Sequence, residues 1–118
     1  MEEIISILKN DYELSKYPIK PFGQLKVGDG ITYEFNSVSS NGIKEVYRLS
    51  VTAVAYNITQ SLEMINRVKK LLITIGDDKL TDKILKVNQN GGGSACNVVD
   101  GKNMYHFTAI FYITRRES

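Results

Sequence analysis

Between residues 43 and 75 a strand pattern runs straight into a helix pattern, with no linker between them. Ile43, Tyr47, Leu49, Val51, Ala53 and Ala55 hold odd positions, while Lys44, Val46, Arg48, Ser50, Thr52 and Val54 alternate with them. That period of two marks a strand with one buried face. After Asn57 the period lengthens. Ile58, Leu62, Ile65, Val68, Leu72 and Ile75 share one helical stripe, with Glu63, Arg67, Lys69 and Lys70 on the solvated side. Asn57 is placed to cap this helix, Gln60 to close a capping box, and Gly76 to end it. A helix over 58–75 is about 27 Å long. The strand over 43–55 spans roughly 40 Å if unbroken. The strand outruns the helix that covers it, which predicts an arm at its turn end.

The rest of the chain supplies partners for this pair. Residues 2–14 read as a short helix with Ile4, Ile5, Leu8, Tyr12 and Leu14 on its stripe and Glu2 and Glu3 in its first turn. Pro18, Pro21, Gly23, Gly28 and Gly30 break the pattern over 15–30, which reads as a long connection across the surface. Ile31, Tyr33 and Phe35 alternate as a strand, and Asn41-Gly42 predicts a hairpin into the long strand. Residues 77–82 read as a polar turn and 83–89 as a third strand. The run Asn90-Gly91-Gly92-Gly93-Ser94 reads as a mobile loop. Asp100-Gly101 is a turn. Tyr105, Phe107, Ala109, Phe111 and Ile113 define a last strand with apolar residues on both faces. The predicted fold is α+β, in the order α-β-β-α-β-β. It is a two-layer sandwich, one antiparallel four-stranded sheet with two helices on one face. A length of 118 residues fits a single domain over 1–118.

Groups for chemistry are scarce. One histidine, His106, and one cysteine, Cys96, cannot form a zinc set or an intramolecular disulfide. The pairs Glu2/Glu3 and Asp77/Asp78 sit at element ends, where acids are common for backbone reasons. The run from Asp77 to Asp82 lacks the glycine and final glutamate of a calcium loop. No Lys-Ser/Thr follows the glycine run, so it is no phosphate loop. The reading predicts no enzyme, cofactor or metal. A net charge of +2 is too small to demand nucleic acid. Met1-Glu-Glu is acidic, no apolar run follows a basic start, and the reading predicts neither signal peptide nor membrane span.

What remains is surface geometry: a long hairpin, an aromatic final strand and a glycine run, features of a subunit that pairs with copies of itself. The strand Tyr47-Arg-Leu-Ser-Val-Thr-Ala-Val-Ala55, the helix over 59–72 and the strand Tyr105-His-Phe-Thr-Ala-Ile-Phe-Tyr-Ile113 together resemble the tail terminator (tail completion) proteins of long-tailed bacteriophages and prophages, some of which are called minor capsid proteins. The resemblance lies in element order, size and pattern. It implies a virion tail protein made in the bacterial host cytoplasm. It implies a homo-oligomer, a hexameric ring, that stops the tail tube, meets the head connector and lets DNA pass without reading its sequence. On this footing the arm over 35–46, with Phe35, Val38, Asn41 and Val46, is expected to reach a neighbouring copy. Gly91, Gly92 and Gly93 are expected to order against tube or connector. The competing reading is a small nucleic-acid or ligand-binding module without catalysis.

Overall fold

The computed structural model describes residues 2–21, 29–78, 84–99 and 101–116. Its elements are α1 (Glu2–Asn10), a 3-10 turn (Leu14–Lys16), β1 (Ile19–Pro21), β2 (Gly30–Ser40), β3 (Lys44–Ala55), α2 (Ile58–Asp78), β4 (Ile84–Val99) and β5 (Lys102–Arg116). One sheet of five strands runs in the order β1-β2-β3-β5-β4. It is mixed, because β1 lies parallel to β2 while every other pair is antiparallel. The expected four-stranded antiparallel sheet and the order α-β-β-α-β-β are therefore wrong.

Two causes account for the correction. The prolines that seemed to exclude a strand over 15–30 instead bracket a short one. Pro18 still offers a carbonyl, which accepts the N–H of Ile31 at 2.9 Å. Pro21 closes β1 at the sheet edge, where a missing donor costs nothing. The glycine run is the second cause. It lies inside β4, a strand of 16 residues, with the register shifting between Gln89 and Gly92. An extra residue at such a bulge needs backbone freedom, and Gly91 and Gly92 supply it at φ +100° and +153°. Gly42 (φ +85°) does the same for the predicted β2–β3 hairpin, where Asn41 Oδ1 accepts the N–H groups of Ile43 and Lys44.

The core lies between α2 and the odd-numbered face of the sheet. Ile31, Leu49, Val51, Ala53, Ala55, Ala109, Phe111 and Ile113 meet Met64, Ile65, Val68 and Leu72 there, and Ile4, Ile5 and Leu8 of α1 join the same cluster. Asn57 caps α2 as expected, its Oδ1 accepting the N–H groups of Thr59 and Gln60. The capping box stays open, because Gln60 Nε2 donates to Tyr17 Oη and Asp29 Oδ2. Gly76 does not end the helix, which continues to Asp78. The buried stripe is also turned from the expected one. Ser61 sits at its centre, fully buried, and its hydroxyl lies 2.8 Å from the Ala53 carbonyl and 3.0 Å from that of Tyr105. Ile58 and Leu62, expected in the core, are exposed.

α1 stops at Asn10, short of the expected 2–14, because Asp11 turns the chain. Its Oδ2 accepts the N–H groups of Glu13 and Leu14 at 3.2 Å. Leu14 is buried by the 3-10 turn, whereas Tyr12 points to solvent.

Candidate subunit interface

The residues expected to meet a neighbour fall in two places that the fold keeps apart. Phe35, Val38, Asn41 and Val46 belong to the β2–β3 hairpin. Gly91, Gly92 and Gly93 belong to β4, on the far side of β3 and β5. The four hairpin residues are not equivalent. Phe35 is half-buried, stands edge-on to Tyr33 at 5.9 Å between ring centroids, and packs on the core. Val46 is half-buried between Ser39 on β2 and Thr114 on β5. Val38 lies where the β2 register shifts and is 53% exposed. Asn41 is exposed at the turn, its side chain spent on the hairpin backbone. The expectation of a free two-stranded arm needs one amendment. β5 accompanies β3 to the Lys44–Arg116 pair and β4 follows to Ile84, so the hairpin is flanked on its β3 side. There Arg115 meets Glu45 at 2.9 Å across the β3–β5 pair.

Sequence reasoning missed several exposed apolar side chains. Ile43 is 70% exposed at the hairpin tip, and Val98 is 70% exposed near the end of β4. On α2, Ile58, Leu62 and Ile73 are exposed and fall on one flank at helical spacing, opposite the side where Arg67 meets Asp11. The signal for them was present: three apolar residues beyond the stripe that Met64, Ile65, Val68 and Leu72 already fill.

Between the 3-10 turn and α2 lies an open groove of about 650 Å³, lined among others by Tyr12, Leu14, Tyr17, Met64, Arg67 and Lys70. Lys16 stands over the Tyr12 ring at 5.5 Å. The Arg67 guanidinium is tied down at the groove wall, its Nη2 donating to Asp11 Oδ1 at 2.7 Å and its Nε to Asp11 Oδ2 at 3.0 Å, with Glu13 at 3.8 Å. That guanidinium hydrogen bond holds the Asp11 carboxyl below its ordinary value of 3.8, helped by the Leu14 and Glu13 N–H groups and opposed by burial. A lowered carboxylate pKa stabilises the fold above the unfolded value, and the gain disappears as pH falls through the folded value. Asp11→Asn is therefore expected to melt below the parent at about pH 7, with the difference closing below 3.8. Thermal melts across that range check it, and a pH-independent gap would overturn it.

His106 and Cys96 do not converge. His106 is opposite Ala95 and Cys96 opposite Tyr105, so their side chains leave opposite faces of the sheet. Neither lines the groove. Among the described residues no three His, Cys, Asp or Glu side chains cluster as a metal site, and no helix is long and apolar enough to cross a membrane. Asp77 and Asp78 lie in the last turn of α2, and Asp82 falls outside the described residues.

No protein-family model and no curated protein matches the chain. Among solved structures, a chain described as "Virion of native gene transfer agent (GTA) particle" shares the fold. It superposes with a TM-score of 0.66 at 11% identity, covering 96% of this chain and 91% of that one. The likeness therefore embraces both helices and the sheet rather than one shared motif.

Proposed function

We propose that the chain is a structural subunit of a phage-like virion, and within it the tail terminator. Six copies close a ring on the head-proximal end of the tail tube, bind the tube on one side and the head connector on the other, and leave a channel for DNA. The subunit acts by assembly, without catalysis or cofactor. The observation that carries this reading is the end-to-end fold likeness to a chain of a gene transfer agent virion. The exposed apolar residues Val38, Ile43, Ile58, Leu62, Ile73 and Val98 support it, since they lie at separate places on the surface as head-to-tail contacts require.

Purified particles test the role directly. The subunit is expected to co-purify with them, and a gold-labelled tag on it to mark the head–tail junction. A subunit absent from the particles, or spread along the tail, would overturn the tail-terminator reading. The arm is tested by Val38→Glu with Ile43→Glu. Both residues are exposed, so the melting temperature of the subunit should stay the same while association weakens at least tenfold by light scattering. Val46 is left out of this variant because a carboxylate between β2 and β5 would also unfold the hairpin.

One observation favours the nucleic-acid reading. Arg48 and Tyr112 are cross-strand neighbours on the sheet face away from α2, a cation beside a stacking ring. A monomer that binds single-stranded RNA with salt-dependent affinity, and loses it in Tyr112→Ala, would support that module instead.

A further inference from the structure

We propose that the sheet continues from one copy to the next, with the outer edge of β4 accepting the outer edge of β2, residues 34–39, of a second copy. The inference rests on the assembly reading above and adds the surface by which copies join.

Among the described residues β4 pairs only with β5, and its positions 88, 89, 91–96 and 98 are exposed. Proteins usually blunt such an edge with proline or several charges. β4 has no proline and one charged residue, Lys86, in 16 positions. The other side of the sheet is only partly closed. β1 covers β2 at Ile31, Thr32 and Tyr33 and then ends at Pro21. Beyond it residues 34 and 36–39 are exposed, and among the described residues no strand lies beside their outer backbone edge. Glu34 is the one charged residue of β2.

Two features match these edges to each other rather than to themselves. The directions agree. β2, β3, β5 and β4 alternate, so β4 runs opposite to β2, and a copy brought alongside without being turned over presents an antiparallel strand. The levels agree as well. Followed through the register, Asn36 aligns with Arg48, then Tyr112, then Asn88. The uncovered part of β2 is thus level with the first half of β4, which carries the register shift between Ile84 and Lys86 and ends at the one after Gln89. Six residues give a seam of about 20 Å. Joining unlike edges is a heterologous contact, which repeats from copy to copy and forms a ring where the rotation between copies closes.

Paired cysteines test the seam. In a Cys96→Ser background, Asn36→Cys on β2 is combined with Asn88→Cys on β4, and Ser37→Cys with Gln89→Cys covers a two-residue slip. All four positions are exposed, so the monomer tolerates them. Antiparallel neighbours lie within disulfide reach. Oxidation of a chain carrying both cysteines is expected to give a ladder of dimer, trimer and larger species that collapses on reduction. Mixing an Asn36→Cys chain with an Asn88→Cys chain is expected to stop at the mixed dimer. An associated protein, by light scattering, that gives no ladder with either pair overturns the seam and leaves the assembly reading standing. Dimers from Asn88→Cys alone overturn it in favour of a two-fold β4–β4 contact. A chain that stays monomeric at every concentration fails both, and its mass identifies that case.

Discussion

Gly92→Ala is expected to lower the unfolding free energy by about 2–3 kcal/mol, while Gly93→Ala one residue further along the same edge changes it by less than about 0.5 kcal/mol. A Cβ on Gly92 would stand 2.4 Å from the Thr108 carbonyl oxygen and 3.4 Å from Ala109 Cα. These are backbone atoms of β5, which cannot retreat without breaking the pairs on either side of the bulge. The conformation adds to the penalty, since φ of +153° disfavours a side chain. At Gly93 nothing lies within 4 Å and no positive φ is imposed. Gly91→Ala should fall between them, at roughly 1 kcal/mol, because its strain comes from φ +100° while Ile110 at 3.6 Å is an ordinary contact. Denaturant melts of the three variants rank them. Equal, small effects would mean that the run is a loose loop after all, and that β4 does not pair across it.

The same glycines explain what could be read in advance. Alternation and helical periodicity report burial on one side, so β3, β5 and α2 were legible, as were the Asn57 cap and the Asn41-Gly42 turn. β4 was not legible as one strand. Its bulge and edge position remove the alternation, and residues with small or polar side chains on an exposed edge carry no hydrophobic signal. β1 failed for a related reason: three residues flanked by Pro18 and Pro21 are too short for any period, and only the fold reveals that Pro18 serves as an acceptor. The rotation of α2 was hidden by Ser61. A hydroxyl at the centre of a stripe reads as a break in it, yet with its oxygen shared between the Ala53 and Tyr105 carbonyls it is as fully buried against β3 and β5 as Val68 and Leu72 are in the core. The candidate interface was legible only where exposure contradicts side-chain type, as at Val38. Ile43, Ile58 and Leu62 were assigned to the buried pattern by the same rule that found the core.

Phe111→Ala should cost about 3–5 kcal/mol and abolish assembly with it, whereas Phe35→Ala should cost less than half as much. Phe111 is the largest fully buried side chain among the described residues, on the interior strand β5, opposite Leu49 on β3 and Gln89 on β4 and in one cluster with Val68 and Leu72. Its loss opens a cavity walled on every side by other core groups, and neither a paired strand nor a capped helix can collapse into it. Phe35 leaves less behind. It is half-buried on β2, past the last residue that β1 covers, and its ring contact with Tyr33 is edge-on and partly solvated. The contrast separates folding from assembly at a residue with a claim to both. If Phe35 only packs on the core, Phe35→Ala weakens association no more than its lower stability requires, and association returns on cooling. If its exposed part also meets a neighbour, association stays weak at temperatures where circular dichroism shows the subunit fully folded. Melting and light scattering on the same samples decide between these outcomes, with Phe111→Ala marking the behaviour of a purely internal defect.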